Sequence, residues 1–257
     1  MTRLKLLRPL FFDDYLKNQK ITLVKHFNKI KKNQAAFEYA IESSAVYSSM
    51  IEGNLIDFDT YLKYAYSGMN NKSKSFKEIE DLKQAYVFAK SNPITFENFL
   101  KSHKIITKTV LEDNKEYVGV IRDKEVYIFS NGVKLYTGTS PNNVLSETQK
   151  LISDINILVE RDLTISEIFY YAAFIHLMLA KIHPFADGNG RAARLLEKWF
   201  LAKKLGEKAW DIQSEKMYQK NLKKYYTRIH LGETYETLNY NLLVSFLLML
   251  PISLRIK

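Results

Sequence analysis

From His183 to Arg194 the chain reads His183-Pro184-Phe185-Ala186-Asp187-Gly188-Asn189-Gly190-Arg191-Ala192-Ala193-Arg194. A base, a carboxylate, two glycines and two arginines set this close describe phosphate-ester chemistry. Gly188 and Gly190 admit backbone shapes closed to other residues, and they flank Asn189 where a helix should begin. Such a turn aims successive N–H groups at one point, an anion site that the helix N-terminus reinforces. Arg191 and Arg194 share one side of the first turn. The macrodipole disfavours cations at that end, so the pair implies an anion nearby, and a polyphosphate answers both features. Asp187 offers a hard oxygen for Mg2+ bridging phosphates. His183, with an ordinary pKa of about 6.5, can take a proton at neutral pH. The plainer alternative is a tight interhelical turn with His183-Pro184 ending a helix. It accounts for any one of these residues and not for all of them together.

The stretch resembles the signature of the Fic family, HPFx(D/E)GNGRxxR, and meets every specified position. The resemblance extends over about Asn92 to the C-terminus. It implies a mainly α fold: a helical bundle with a β-hairpin flap beside the active-site loop and an N-terminal helical extension. It also implies an adenylyltransferase that moves AMP from ATP to a target protein. By that resemblance His183 would deprotonate a Tyr, Thr or Ser hydroxyl, which then attacks the α-phosphate. Asp187 would hold Mg2+ against the α- and β-phosphates, which Asn189 and the N–H groups around Gly188 and Gly190 would bind. Arg191 would position the triphosphate, Arg194 would grip the γ-phosphate, and pyrophosphate would leave. Phe185 reads as a core anchor for the loop. Tyr225 and Tyr226, after Asn221, match a family position near the adenine, with a packed pair in a Tyr-rich helix as the alternative.

A second motif lies upstream. Glu52 falls in the last turn of an expected helix, where the macrodipole disfavours an anion, so it faces water or meets a cation. Ser48, Glu52 and Gly53 are similar to the family's inhibitory-helix pattern, (S/T)xxxE(G/N). That similarity implies that Glu52 pairs with Arg194 in the γ-phosphate's place, with Ser48 hydrogen-bonding near the site. A glutamate there could also serve the reverse reaction, removal of AMP.

These residues need elements to position them. Residues 15–52 read as helix, with Phe37, Ala40, Ile41, Ser44, Ala45, Ser48 and Ile51 on one face. Gly53-Asn54 suits a left-handed stop. Phe76 to Ala89 and Thr95 to about Val110 are further helices. Glu125–Ser130, Asn131-Gly132 and Val133–Tyr136 give the strongest short-range hairpin signal. Helix resumes near Asn143. Thr164 and Glu167 form a capping box ahead of a helix from Ser166 to Ile182. Another helix starts just after Gly190. His176 is a packed helix residue, about 10 Å from His183 and too far to share a metal. The expected division is an N-terminal region, residues 1–91, carrying the inhibitory helix over about 37–53. A core follows over residues 92–257, with its flap over about 120–137.

Composition narrows the classes. With 257 residues, 46% hydrophobic and 26% charged, the chain is ordinary globular protein. It has no cysteine, which excludes disulfides and thiolate metal sites and makes a reducing cytoplasm the expected location. The N-terminal stretch makes a poor signal peptide, broken by Lys5, Arg8, Pro9, Asp13 and Asp14. Leu242 to Leu254 is too short to span a bilayer and reads as a buried last helix, so no membrane partner is expected. The net charge of +10 is spread along the chain rather than gathered beside a nucleic-acid motif. The expected partner is a target protein docked by strand addition on the flap, and self-modification and a homo-oligomer are possible. The rivals are phosphotransfer with the nucleotide reversed, AMP removal, and a catalytically idle module that binds nucleic acid.

Overall fold

Apolar side chains on all sides of one helix decide what lies at the centre of the molecule. The computed structural model describes residues 3–30, 34–67, 73–130 and 132–256. In chain order the elements are α1 (Phe12–Asn18), α2 (Leu23–Asn28), α3 (Gln34–Ile51), α4 (Phe58–Tyr66), α5 (Lys74–Ser91) and α6 (Phe96–Ile106). The hairpin β1 (Tyr127–Ser130) and β2 (Val133–Thr137) follows, then α7 (Pro141–Glu160), α8 (Ile165–Ile182) and α9 (Asn189–Leu205). Four short helices close the chain: α10 (Ser214–Lys220), α11 (Leu222–Ile229), α12 (Leu243–Leu247) and α13 (Met249–Ile252). The fold is mainly α with one two-stranded antiparallel sheet among the described residues.

Helix α8 starts where its capping box dictates. Thr164 Oγ1 accepts from the Glu167 N–H at 3.3 Å, and the Glu167 carboxylate accepts from the Thr164 N–H at 2.8 Å. From Ile168 on nearly every residue is buried, including Phe169, Phe174, Ile175 and Leu179. Each large apolar side chain so buried stabilises the fold by roughly 1.5–3 kcal/mol. By length and composition α8 could cross a membrane, yet 78% of it is buried inside the protein. Its neighbours are α1, α2, α7, α9, α12 and α13.

Helix α3 is joined to this centre rather than laid on its surface. It packs on α5, α9 and α10, burying Ala40, Ile41, Ala45 and Val46. A buried ion pair reinforces the joint. Lys198 Nζ meets Glu215 Oε2 at 2.5 Å and donates to Ser44 Oγ of α3 at 2.6 Å, while Tyr86 OH donates to Glu215 Oε1 at 2.6 Å. Burial pushes the Glu215 carboxyl up, but Lys198 and Tyr86 together hold it below its ordinary value. At its end α3 forms a Schellman stop: Asn54 N–H bonds Ser49 O and Gly53 N–H bonds Met50 O, both at 3.1 Å. Gly53 takes φ +93°, as its place in the sequence required.

Three sequence expectations change. The helix read over residues 15–52 is α1, α2 and α3, with residues 31–33 outside the described set. The Gln19 carboxamide bonds both the N–H and the C=O of Ile21, a side-chain alternative that breaks the backbone ladder. Leu242 to Leu254 is only partly buried, with Leu243, Phe246, Leu247, Met249 and Leu250 in the core and Leu242 and Ile252 exposed, and it divides into α12, α13 and a 310 turn. Pro251 has no N–H to continue a ladder. Helix α6 stops at Ile106, short of Val110, and Thr107 OH donates back to His103 O at 2.8 Å. The hairpin stands where it was read, with Leu135 as an extra residue opposite β1 and Gly132 at φ +77°. Asn131 of its turn lies outside the described residues.

Replacing Lys198 by Met should leave Glu215 buried without its cation. The expected loss is roughly 3–5 kcal/mol of unfolding free energy in a denaturant titration. A loss below about 1 kcal/mol would contradict a structural role for the pair.

Candidate active site

The loop between α8 and α9 is held by its own side chains. His183 ends α8 at φ 53°, an uncommon conformation for a residue with a side chain. Asn189 closes the loop: its Oδ1 accepts from the Phe185 N–H at 2.9 Å and its Nδ2 donates to Phe185 O at 2.8 Å. Phe185 is fully buried and stacks on the His103 ring with centroids 3.5 Å apart. Gly188 takes φ +79° as the residue before α9. A Cβ there would come within 2.6 Å of Thr107 Cγ2, so only glycine fits this junction of loop and α6.

Two residues that pattern reading passes over fasten this loop. His103 Nδ1 accepts from the Gly119 N–H at 3.1 Å, which leaves Nε2–H to donate to Asp187 O at 2.9 Å. Burial pushes the His103 ring down to about 4, so it stays neutral in that tautomer. Arg122 is 5% exposed and binds carbonyls from three segments. Its Nε donates to His183 O at 2.7 Å, Nη1 to Lys124 O at 2.6 Å and Nη2 to Thr139 O at 2.5 Å. The backbone on either side of the hairpin is thereby stapled to the His183 peptide. Neither residue belongs to a recognisable motif. Their only signal is an uncommon residue type on a helix face or before a hairpin.

A cavity of about 490 Å3 opens above this floor. His183, Asn189, Gly190, Arg194, Tyr225 and Tyr226 line it, with Glu52 and the hairpin's Ile128 and Tyr136 on its walls. His183 Nδ1 faces Ala180 O at 3.3 Å. With Nδ1 carrying the proton, Nε2 is left as the acceptor. Desolvation pushes this ring down to about 4, against an upward pull from Ala180 O. Lys181, nearby, is buried with its ammonium 4.2 Å from the Tyr136 ring centre, and burial lowers it to about 8.

Arg194 is the most enclosed charge of the group, 1% exposed. Its Nη2 meets Glu52 Oε1 at 2.6 Å, its Nε donates to Ser48 Oγ at 2.8 Å and its Nη2 also reaches Ser48 O at 3.1 Å. The residues of the two motifs, 142 positions apart, thus meet directly. Burial pushes the Glu52 carboxyl up, but Arg194 and Arg191 outweigh it and hold it below its ordinary value. Against desolvation, Glu52 holds the Arg194 guanidinium raised. The carboxylate lies over the first turn of α9, where any Cβ at Gly190 would collide with Glu52 Oε1. A negative group therefore already occupies the N-terminal end of this helix, as its dipole favours.

The remaining sequence-selected residues fall around this pair. Asp187 is half exposed, with Oδ1 bonded by the Gly188 N–H and by Arg191 Nη2 at 3.2 Å. No group of three or more His, Cys, Asp or Glu gathers as a metal site among the described residues. Asp187 does not line the cavity itself, but its exposed carboxylate stands two residues before Asn189, which does, and one such oxygen suits Mg2+, which takes one or two protein oxygens and fills its shell from phosphates and water. Arg191 is buried, and its Nε lacks a partner among the described residues. Tyr225 is 2% exposed, with its hydroxyl between Arg194 Nη1 at 3.3 Å and His176 Nε2 at 3.0 Å. Tyr226 is half exposed, and its hydroxyl donates to Ile51 O at 2.9 Å, in the last turn of α3.

Residues 93–201 match the model of the Fic/DOC family. Protein adenylyltransferase fic-1 of Caenorhabditis elegans is 29% identical over 183 residues, which are 66% of this chain and 34% of that protein. The Caenorhabditis briggsae protein of the same name is 27% identical over 157 residues, 57% of this chain and 29% of its own length. The chain therefore spans only about a third of these relatives. Among solved structures, a Fic family protein from Desulfovibrio desulfuricans matches 99% of this chain and 76% of its own, with a TM-score of 0.76 at 14% identity. Fic-1 from C. elegans matches 95% and 71%, with a TM-score of 0.66 at 19% identity.

Arg122→Lys keeps the charge and loses the three-way fork. Amides of the hairpin should then exchange roughly tenfold faster, the effect of about 1.4 kcal/mol of local stability. Unchanged exchange over residues 127–137 would show that the staple does not hold the hairpin.

Proposed function

Because residues 93–201 of this chain match the model of the Fic/DOC family, we propose that it is a protein adenylyltransferase restrained by its own Glu52. The observation that carries this reading is the Arg194–Glu52 contact at 2.6 Å over the first turn of α9. A buried guanidinium and a helix N-terminus converge there on one carboxylate. The same place accommodates the terminal phosphate of ATP, with the α-phosphate nearer His183. The names of the relatives support AMP transfer as the reaction.

In this mechanism the N–H groups at the start of α9 bind phosphate oxygens, and Arg194 fixes the far end of the triphosphate. Arg191 and Asp187 flank the same anion. Bound at Asp187, Mg2+ would neutralise phosphate charge while pyrophosphate leaves. His183 Nε2 takes the proton of a Tyr, Thr or Ser hydroxyl on the target protein, whose oxygen attacks the α-phosphate. The His183 peptide cannot drift, because Arg122 and the Leu179 carbonyl hold it at 2.7 and 2.9 Å. While Glu52 holds Arg194, the γ-phosphate has no seat and the α-phosphate turns away from the hydroxyl. The hairpin receives the target segment along its strand edge.

Glu52→Gly and Glu52→Gly/His183→Ala, given Mg2+ and ATP labelled at the α- or the γ-phosphate, test the reading through self-modification. Glu52→Gly should incorporate α-label roughly ten- to a hundredfold above the unmodified protein, the span of a 1–3 kcal/mol internal competition. Removing His183 should reduce it by roughly a hundredfold or more. Incorporation of γ-label instead would make the reaction phosphotransfer. Equal rates with and without Glu52 would remove the restraint.

The environment of His183 sets the pH profile. Desolvation lowers its pKa, so the ring stays neutral and basic until pH falls through that lowered value. The acid limb of kcat/KM should be centred near pH 4, well below 6.5. An acid limb at pH 6–7 would mean that this ring is not desolvated in the working enzyme.

A further inference from the structure

We propose that Glu197, His176 and Tyr225 form a buried relay that holds the Arg194 guanidinium in its phosphate-gripping orientation once Glu52 withdraws. The proposal rests on the nucleotide reading above and adds to it three positioning residues. Arg194 Nη1 lies 3.3 Å from Tyr225 OH, which lies 3.0 Å from His176 Nε2. His176 Nδ1 in turn lies 2.8 Å from Glu197 Oε2. The chemistry of the two ends fixes every direction. A guanidinium only donates, so the Tyr225 oxygen accepts from Arg194 and its O–H donates to His176 Nε2. His176 then carries its proton on Nδ1, and the Glu197 carboxylate accepts it.

All four side chains are buried, with exposures of 1% for Arg194, 2% for Tyr225 and 0% for His176 and Glu197. Tyr218 OH donates to the same Glu197 oxygen at 2.7 Å, and Glu197 Oε1 has no partner among the described residues. A carboxylate buried with one oxygen unsatisfied is costly as mere packing. As the anionic end of a line of hydrogen bonds that reaches a guanidinium, it has a use, since each bond polarises the next.

The geometry also separates this relay from the restraint. Glu52 takes Nη2 and the Ser48 hydroxyl takes Nε, whereas the relay arrives at Nη1. When Glu52 leaves, Nη1 and Nε keep their partners and the guanidinium plane keeps its orientation. Nη2 is then presented to the incoming phosphate. Without the Tyr225 hydroxyl the fixed partners come from Ser48 alone, and each binding event must order the fork again. The sequence motif thus supplies the arginine, while its aim comes from α8, α9 and α11.

The test is calorimetric binding of ATP and of AMP, with Mg2+, to Glu52→Gly, Glu52→Gly/Tyr225→Phe and Glu52→Gly/Glu197→Gln. AMP lacks the phosphates that reach Arg194, so it reports the rest of the site. Tyr225→Phe should weaken ATP about tenfold, the loss of one charge-assisted hydrogen bond, and weaken AMP much less, because the ring that lines the cavity is kept. Glu197→Gln, which keeps the shape and removes the charge, should weaken ATP less and with the same selectivity. Thermal melts confirm that each variant is folded. Equal losses for ATP and AMP, or no loss for either, would overturn the relay. A Glu52→Gly protein that binds neither nucleotide would refute the nucleotide reading itself, and the relay with it.

Discussion

A guanidinium removed from water needs an anion beside it, and the structure around Arg194 is arranged to supply one. Its carboxylate comes from Glu52, a residue far away in sequence and badly placed just past the C-terminal end of α3. The C-terminal end of α3 repels an anion, and the N-terminal end of α9 attracts one. Bringing the two ends together converts an unfavourable position into a favourable one, and the ion pair completes the exchange at 2.6 Å. In the proposed reading this contact and the nucleotide's terminal phosphate are alternatives. Whatever displaces Glu52 must therefore bring a comparable negative charge to the same point.

Such a competition works only if the surroundings stay still while the anions change places. Helix α3 is fixed by its apolar face and by the Ser44–Lys198–Glu215 contacts, so its last turn has a defined position. The loop after α8 is fixed from within by Asn189 and from outside by His103 and Arg122. Tyr226 adds a bond to the last turn of α3 from the opposite wall of the cavity. Displacement of Glu52 is then a change in one side chain and a few backbone atoms, not the undocking of a helix that carries core residues.

Much of this was legible in the sequence because it depends on local rules. The glycines and arginines of residues 188–194 imply an anion at a helix start, and the Thr164–Glu167 box and the Gly53 stop mark helix ends through their own hydrogen bonds. The hairpin came from its Asn-Gly turn. What escaped depends on contacts between distant segments or on a single side chain's choice of partner. Gln19 breaks a helix that its neighbours' periodicity would continue. Arg122 looks like one surface cation among many until its carbonyl partners are assembled from residues 124, 139, 182 and 183. Tyr225 stood in the right place for a site residue, yet no spacing rule shows that its hydroxyl lies beneath Arg194 rather than open to the cavity.

The most direct test of the central claim is where a triphosphate sits when Glu52 is present and when it is not. Crystal structures of the unmodified protein and of Glu52→Gly, each with Mg2+ and a non-hydrolysable ATP analogue, would locate it. The account predicts a terminal phosphate on Arg194 Nη2 only in Glu52→Gly, with the α-phosphate drawn towards His183 Nε2. A phosphate in the same place in both proteins, with Glu52 still bonded to Arg194, would contradict the claim that the carboxylate and the nucleotide compete for one cation.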